Sequence, residues 1–458
     1  MSTALRIQRD IAMNVTLDQF VWPALDISTA FLGNHSLFAL PHLPLRMGYK
    51  RLIMDLYYDP IRSDWQLCPQ NDCSDYLLSH FLKSIDDYLI STQVSGASPY
   101  TDIVTLVFNL QSLTPNLTIT SNLASLLYKA STPTLDGKTR VYTPSNLTTD
   151  TSLLTHRQEP YFMQDETWPQ WIHLIQNKAQ LLLALGNVSS SIIISDLDKE
   201  TLFRSLGNIT NTFDSLNCSA PTSWSFVSDR HTPFSYMSAF NATQCGYSPV
   251  FTQSQYPGEL SLTDPGHLSD NILSTLWSWD INEPNTQNGA HRCAAMAENG
   301  RWYATDCAQS LAVACYSPSQ NHWLVLNVTS NYDRSLSECP ETYFFEVPRV
   351  PRQNLQLQTA MQGANVTGKV WLNLNLVYNQ DMCWAVGRYG TCWWSKDAGM
   401  EYLGLIQTSI VSGVIVLLLV GIFTWVKCAR LWRNRNSRPR KAMVKAMLAK
   451  REYVTIPA

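Results

Sequence analysis

Four stretches between residues 45 and 210 are dominated by apolar side chains: YKRLIMDLYYD (Tyr49 to Asp59), DIVTLVFNLQSL (Asp102 to Leu113), AQLLLALGNV (Ala179 to Val188) and SIIISDL (Ser191 to Leu197). Their short length and their Ile, Val and Leu content predict buried strands. Between the first two, Leu78, Phe81, Leu82, Ile85, Tyr88 and Leu89 recur at three- and four-residue spacings within Ser74 to Thr92. That spacing predicts a helix with one apolar face. Helices between buried strands imply a parallel α/β sheet or barrel. Farther on, VWLNLNLVY predicts another strand and CWAVGRYGTC a loop closed by Cys383 and Cys392, with Gly387 and Gly390 supplying the turn. Tyr402 to Val426 holds no charged residue, and its length exceeds the roughly 20 residues that cross a bilayer core. It predicts one transmembrane helix.

Charge orients that helix. After Val426 stand ten Lys/Arg against one acid, Glu452, a net of +9, while the preceding residues carry −12. Positive flanks stay cytoplasmic, which puts the large N-terminal part in the lumen or outside the cell. Ten Asn-x-Ser/Thr sequons, at Asn14, Asn34, Asn116, Asn146, Asn187, Asn208, Asn217, Asn241, Asn327 and Asn365, all precede the helix. So do ten of the eleven cysteines, an even number suited to disulfides. Cys68 and Cys73, five apart, predict a local disulfide, since structural zinc needs four clustered ligands. The first twenty residues lack the apolar run of about 7–15 residues of a signal peptide, which leaves two readings: a start lost upstream, or a transmembrane helix that itself drives translocation of the residues before it.

The layout of NVTLDQF, LRMGYKRLIMDLYYD, VYTPSNL and WPQWIHLIQNKAQLLLAL resembles the barrel of the phospholipase C-like phosphodiesterases. The resemblance implies a histidine pair for proton transfer, one of them in a Gly-Thr-His context. Here His35 stands in GNHS and His42 in LPHLP, and general acid–base work needs both partners within hydrogen-bond reach. Asp55 and Asp59, at a strand's end, are placed to face a barrel mouth, where such enzymes keep their sites. The expectation is a degenerate barrel with these carboxylates in a scaffold.

From Cys218 to Tyr316 the chain resembles a C-type lectin domain, through WSWDINEPN, RCAAM and GRWYATDC followed by Cys315. The resemblance implies that Cys293 pairs with Cys307, and Cys315 with Cys245 or Cys218; Cys339 then takes whichever is left. It also implies five calcium ligands. Glu283 and Asn285 match two of them. His291, followed by the cation Arg292, occupies the third position, and Tyr303 and Ala304 replace the last two. Asp306 and Glu298 are poor substitutes, since a two-residue displacement along a strand moves a side chain about 6–7 Å, against bonds of about 2.3–2.6 Å. The metal site is expected to be lost, with Glu283 and Asn285 its remnants, and Trp277, Trp279 and Trp302 to be core.

Taken in order along the chain, QRDIAMNVTLDQ, MDLYYD with WQLCP, WSFVSD, WSWDINEP, RCAAM and GRW resemble the fungal maintenance of telomere capping protein 6 family. That resemblance implies a single-pass, glycosylated, type I protein and a genetic link to telomere capping. The expected architecture is an α/β barrel-like domain over 1–212 and an α+β C-type-lectin-like domain over 213–320. A Cys-containing segment over 321–401, the transmembrane helix over 402–426 and a basic tail over 427–458 follow. The expected function is non-enzymatic recognition or support, without cofactor, acting on telomere capping indirectly. A lumenal phosphodiesterase or glycan-processing enzyme and a calcium-dependent lectin are the alternatives. Expected partners are the membrane, a protein or glycan ligand on the lumenal side, and anionic lipid at the tail, where Met443, Val444, Met447 and Leu448 repeat at helical spacing. Direct nucleic-acid binding is not expected of a −12 ectodomain.

Overall fold

The structure is a computed structural model, which describes residues 3–30, 39–67, 77–92, 100–112, 118–133, 139–154, 168–210, 218, 224–229, 234–252, 265–286, 289–377, 383–387, 390–394, 416–426 and 439–450. The chain divides into two units, Met1–Trp394 and Ser395–Ala458.

In the first unit, seven strands run parallel: β1 (Ala24–Asp26), β2 (Arg51–Asp59), β3 (Val104–Gln111), β4 (Leu181–Val188), β5 (Asn208–Thr210), β6 (Ser225–Ser228) and β7 (Ser248–Phe251). Their order is β4-β3-β2-β1-β7-β6-β5. Val141–Tyr142 joins the edge of β4, and Asp64–Gln66 folds back antiparallel on β2. Phe203 bridges to Ala184 while β5 pairs with β6, so one run of chain crosses between the sheet's two ends. The result is a partial TIM barrel.

Period-two alternation sorts its side chains. Leu52, Met54, Leu106, Phe108 and Leu183 point outward onto the helix Leu78–Thr92, whose Phe81, Leu82 and Ile85 meet them as the apolar spacing predicts. Ala24, Ile53, Val107, Ala184, Phe226 and Val250 point inward and form the barrel's own core. Of the four predicted strands, SIIISDL differs. Only Ile192–Ile193 is extended, paired with Ile119–Thr120 outside the barrel. Ser195 then caps a helix, Asp196–Thr201, accepting the Asp198 N–H at 3.2 Å. A serine cap and two acids in the first turn favour helix over strand here.

A second sheet holds β8 (His291–Met296), β9 (Trp302–Asp306), β10 (Leu311–Ser317), β11 (His322–Ser330), β12 (Val370–Val377) and β13 (Cys383–Val386). Its order is β9-β8-β12-β10-β11; β13 also pairs with β12, and Phe344–Phe345 with β10. The expected boundary at residue 212 therefore moves. β6 and β7 belong to the barrel, and the segment 321–401 supplies the second sheet's central strand. Four-residue strands such as β6 and β7 are too short to show a period of their own.

Cys293–Cys307 and Cys383–Cys392 are bonded as expected. Cys315 bonds Cys339, and Cys218 bonds Cys245, which corrects the expected link from Cys315 to Cys218 or Cys245. The physical reason is the new boundary: Cys245 ends a barrel helix, whereas Cys315 and Cys339 lie around one face of the second sheet. Cys68 and Cys73 lie outside the described residues.

In the second unit, residues 416–426 are helical with exposed apolar side chains; the rest of the predicted span 402–426 lies outside the described residues. Among the described residues no helix is long and apolar enough to cross a membrane. A separate helix runs over Pro439–Ala449.

Candidate functional site

Two residues beyond the inward apolar layer, the same strands place Asp26, Asp55, Asn109, Gly186, Ser228 and Thr252. This is a polar layer at the carboxyl ends of the strands, the end at which TIM barrels carry their sites. Its members hold one another. Asn109 Nδ2 donates to Asp55 Oδ1 at 2.9 Å, and Asn109 Oδ1 accepts the Asn187 N–H at 2.9 Å. The Asp55 N–H donates to Ser28 Oγ at 2.6 Å, and the Ser28 N–H to Asp26 Oδ1 at 3.1 Å. Asp229, buried beside this layer, accepts both the N–H and the hydroxyl of Thr252, at 2.7 and 2.6 Å. Gly186 is required because a Cβ there would overlap the Asn109 amide. Asp59 builds a turn, accepting the Ile61 N–H and Gln66 Nε2, each at 2.9 Å. Asp55 thus reaches the mouth as expected, while Asp59 is committed to the β2 hairpin. His42 packs its ring edge-on to Tyr88 in the outer helix layer, and burial, then Arg46, lowers its pKa. His35 lies outside the described residues. Sequence reasoning missed Asp26 and Asn109, although the endings ALD, IMD and VFN repeat one pattern, an apolar inward residue and a polar one two places on.

Deeper in the barrel lies Arg51. Its Nη1 donates to the Leu206 carbonyl, its Cζ sits 3.8 Å from the centre of the Phe226 ring, and its Nε has no partner among the described residues. Burial lowers this guanidinium to about 9, so it stays charged at neutral pH.

At the opposite, amino end of the strands, helix α1 (Thr3–Ile11) joins barrel and second sheet. Ala4, Ile7 and Ile11, one face of the helix, enter the core formed with Trp277, Trp302 and Leu374. Gln8 accepts the Trp277 N–H at 3.0 Å and donates to the Thr275 carbonyl at 3.3 Å. On the other side Arg9 donates to Asp10 at 2.6 Å and to the Thr101 carbonyl at 3.0 Å, and lies 3.7 Å from Asp102, which also binds Lys50. Burial alone would lower the pKa of Arg9, but Asp10 and Asp102 outweigh it and raise it. Burial lowers Lys50, with Asp102 opposing. Gln8, Arg9 and Asp10 open the QRDIAMNVTLDQ stretch that carries part of the family resemblance, but nothing in its pattern marks them as a junction.

The residues expected as remnants of a calcium motif bond within the chain. Glu283 Oε2 accepts the N–H groups of Asn285 at 2.7 Å and Ala304 at 3.0 Å. The Tyr303 hydroxyl donates to Asp280, Glu298 Oε1 accepts the Gly368 N–H at 2.6 Å, and Asp306 Oδ1 accepts the Ala308 N–H at 3.0 Å. The described residues contain no group of three or more His, Cys, Asp or Glu able to hold a metal ion. Trp277, Trp279 and Trp302 are core; Trp302 Nε1 donates to Asn354 Oδ1 at 2.8 Å. Beside the Glu283 turn a cleft of about 490 Å³ opens between α1 and the second sheet, lined by Arg6, Ile7, Asp280, Glu283, Trp384 and Trp394 among others. Its volume lies within the about 300–1,000 Å³ of small-molecule sites.

A family model described as the MTC6 partial TIM-barrel domain matches residues 1–267. The chain belongs to that family. The MTC6 barrel match ends just past β7, where the parallel sheet ends in the structure. The "Maintenance of telomere capping protein 6" of Candida albicans (strain WO-1) is 23% identical over 583 residues, covering 100% of this chain and 95% of its own. That of Lachancea thermotolerans is 25% identical over 464 residues, covering 92% of this chain and 88% of its own. Among solved structures, L. pealei PLC21 overlaps with a TM-score of 0.31 at 9% identity, over 71% of this chain and 48% of that one.

Among the sequon residues, Asn14, Asn146, Asn187, Asn241, Asn327 and Asn365 are all exposed, Asn187 at the barrel mouth. Asn34, Asn116 and Asn217 lie outside the described residues, as does the side chain of Asn208 in β5.

Proposed function

We propose that this MTC6-family chain is a single-pass type I membrane glycoprotein whose lumenal or extracellular part recognises or supports a partner without catalysis. The observation that carries this reading is the state of the barrel mouth. Asp55, Asn109 and Asp229 are engaged in structural hydrogen bonds, whereas a cleft of about 490 Å³ opens beside Glu283, walled by Trp384 and Trp394. The second sheet is read as a lectin-like module that has exchanged metal ligation for internal hydrogen bonds. Any ligand it takes, protein or glycan, binds without calcium. The relatives' name brings telomere capping to this chain as an indirect effect. Glycans and a membrane stand between the −12 part and DNA.

Complementation in a fungal strain lacking its own relative separates the two sites. Asp55→Asn is expected to restore growth under telomere-capping stress, and Ile281→Asp, at the exposed rim of the cleft, to fail while the protein is still made and folded. Loss of function in Asp55→Asn with unchanged thermal stability would turn the reading toward an enzyme. Exposed sequons support glycosylation: removal of N-glycans should lower the apparent mass, and an unchanged mass argues against a lumenal ectodomain.

A further inference from the structure

We propose that the helix Pro439–Ala449 lies on an anionic lipid surface, its apolar side in the headgroup layer and its lysines on lipid phosphates. Met443, Val444, Met447 and Leu448 are 61%, 56%, 64% and 62% exposed. At about 100° per residue these four positions fall within an arc of about 140° on one side of the helix. Lys441 flanks one edge of the arc and Lys450 the other, with Lys445 just beyond Lys441. Arg440 precedes the apolar side chains in the first turn. No acid occurs from Pro439 to Lys450.

This pattern selects among partners. Duplex DNA would take the cations but leave four large apolar side chains in water, since phosphate contacts need none of them. A second copy of the helix would cover the apolar arc but set lysine rows against each other with no acid to pair them. A bilayer containing acidic lipid accepts both halves: the arc enters the boundary between headgroups and chains, and the flanking lysines reach outward to the phosphates. Each such cation near an anionic membrane is attracted independently of sequence, and salt screens it. The inference goes beyond the recognition role proposed above and does not require the chain to span a membrane, because a helix of this kind also binds from one side.

The full chain carrying Cys428→Ser and Met447→Cys, labelled at residue 447 with an environment-sensitive dye, tests it. The expected result is a blue-shifted emission with mixed phosphatidylcholine–phosphatidylserine vesicles and a much smaller shift with phosphatidylcholine alone. About 1 M salt, where the screening length falls to about 3 Å, should reverse most of the difference. Lys441→Glu with Lys445→Glu should abolish it. Equal emission in both lipids would overturn the proposal, as would a shift produced by duplex DNA and not by vesicles. Resistance of the same samples to alkaline extraction reports membrane spanning separately, so failure of either reading is visible on its own.

Discussion

Glu283 shows how a residue that resembles a metal ligand can be committed to the backbone instead. Its Oε2 closes a turn through Asn285 and ties it to β9 through Ala304, so a carboxylate that resembles a calcium ligand serves two backbone donors. A ligand that binds only the native state must raise its melting temperature. Millimolar calcium is therefore expected to leave the melting temperature of residues 1–394 where chelator leaves it, and a rise of several degrees would favour the calcium-dependent lectin. Glu283→Ala should cost about 1–3 kcal/mol, because both N–H groups lose a charged acceptor. Tyrosines give a second test at this scale. Tyr49, Tyr142 and Tyr332 are buried, and burial raises their pKa above the usual value of about 10. Above that pH the unfolded chain releases protons that the folded chain still holds, so stability is full below about pH 10 and falls as pH rises past it. Tyr332→Phe should flatten the alkaline limb in unfolding curves taken across pH; an unchanged slope would show that this hydroxyl does not contribute.

Among the elements, the long parallel strands and the helix Leu78–Thr92 were legible because a strand buried on both faces and a helix buried on one leave strong, different periods. SIIISDL misled for the same reason in reverse: an apolar run of this length does not distinguish a barrel strand from a short bridge that ends in a helix cap. The polar mouth layer was half legible, through Asp55, since reading the rest requires knowing which strands are neighbours. Capping from a distance was not legible at all. Asp198, fully buried in the helix Asp196–Thr201, accepts the N–H of Ala124 at 2.7 Å and of Leu123 at 3.3 Å, and the Ser121 hydroxyl. It thus caps the helix Leu123–Ala130 from about seventy-five residues away, where a local cap would come from Asn122, whose side chain instead binds the Ser63 carbonyl and Trp65. Asp198→Ala should cost about 3 kcal/mol or more, since hydrogen bonds to a charged group contribute about 1.5–3 kcal/mol and buried donors are left unpaired. A change under about 1 kcal/mol in chemical unfolding would mean that water replaces the carboxylate.

Across the first unit, the amino-terminal helix decides whether barrel and second sheet behave as one body. Its two faces meet different partners: Ala4, Ile7 and Ile11 enter the second sheet's core, while Arg9 reaches Thr101 and Asp102 at the amino end of β3. Both contacts need the same nine residues. The cleft beside Glu283 takes one wall from α1. Whole-molecule coupling of this kind should show as one cooperative unfolding transition for residues 1–394. Arg9→Ala leaves Asp10 buried without its guanidinium, while Asp102 keeps Lys50, and should cost about 3 kcal/mol. Because the loss falls on the junction, calorimetry of this variant is expected to resolve two transitions, barrel and second sheet, where the unaltered chain gives one. Gln8→Ala should lower the single transition without splitting it, since Ala4, Ile7 and Ile11 still pack α1 into the second sheet when its hydrogen bonds are gone. A single, merely lowered transition for Arg9→Ala would place the coupling elsewhere, in the contacts of Arg301 with the Leu276 carbonyl and the Phe240 ring, which join the helix Tyr236–Gln244 to the second sheet without passing through α1.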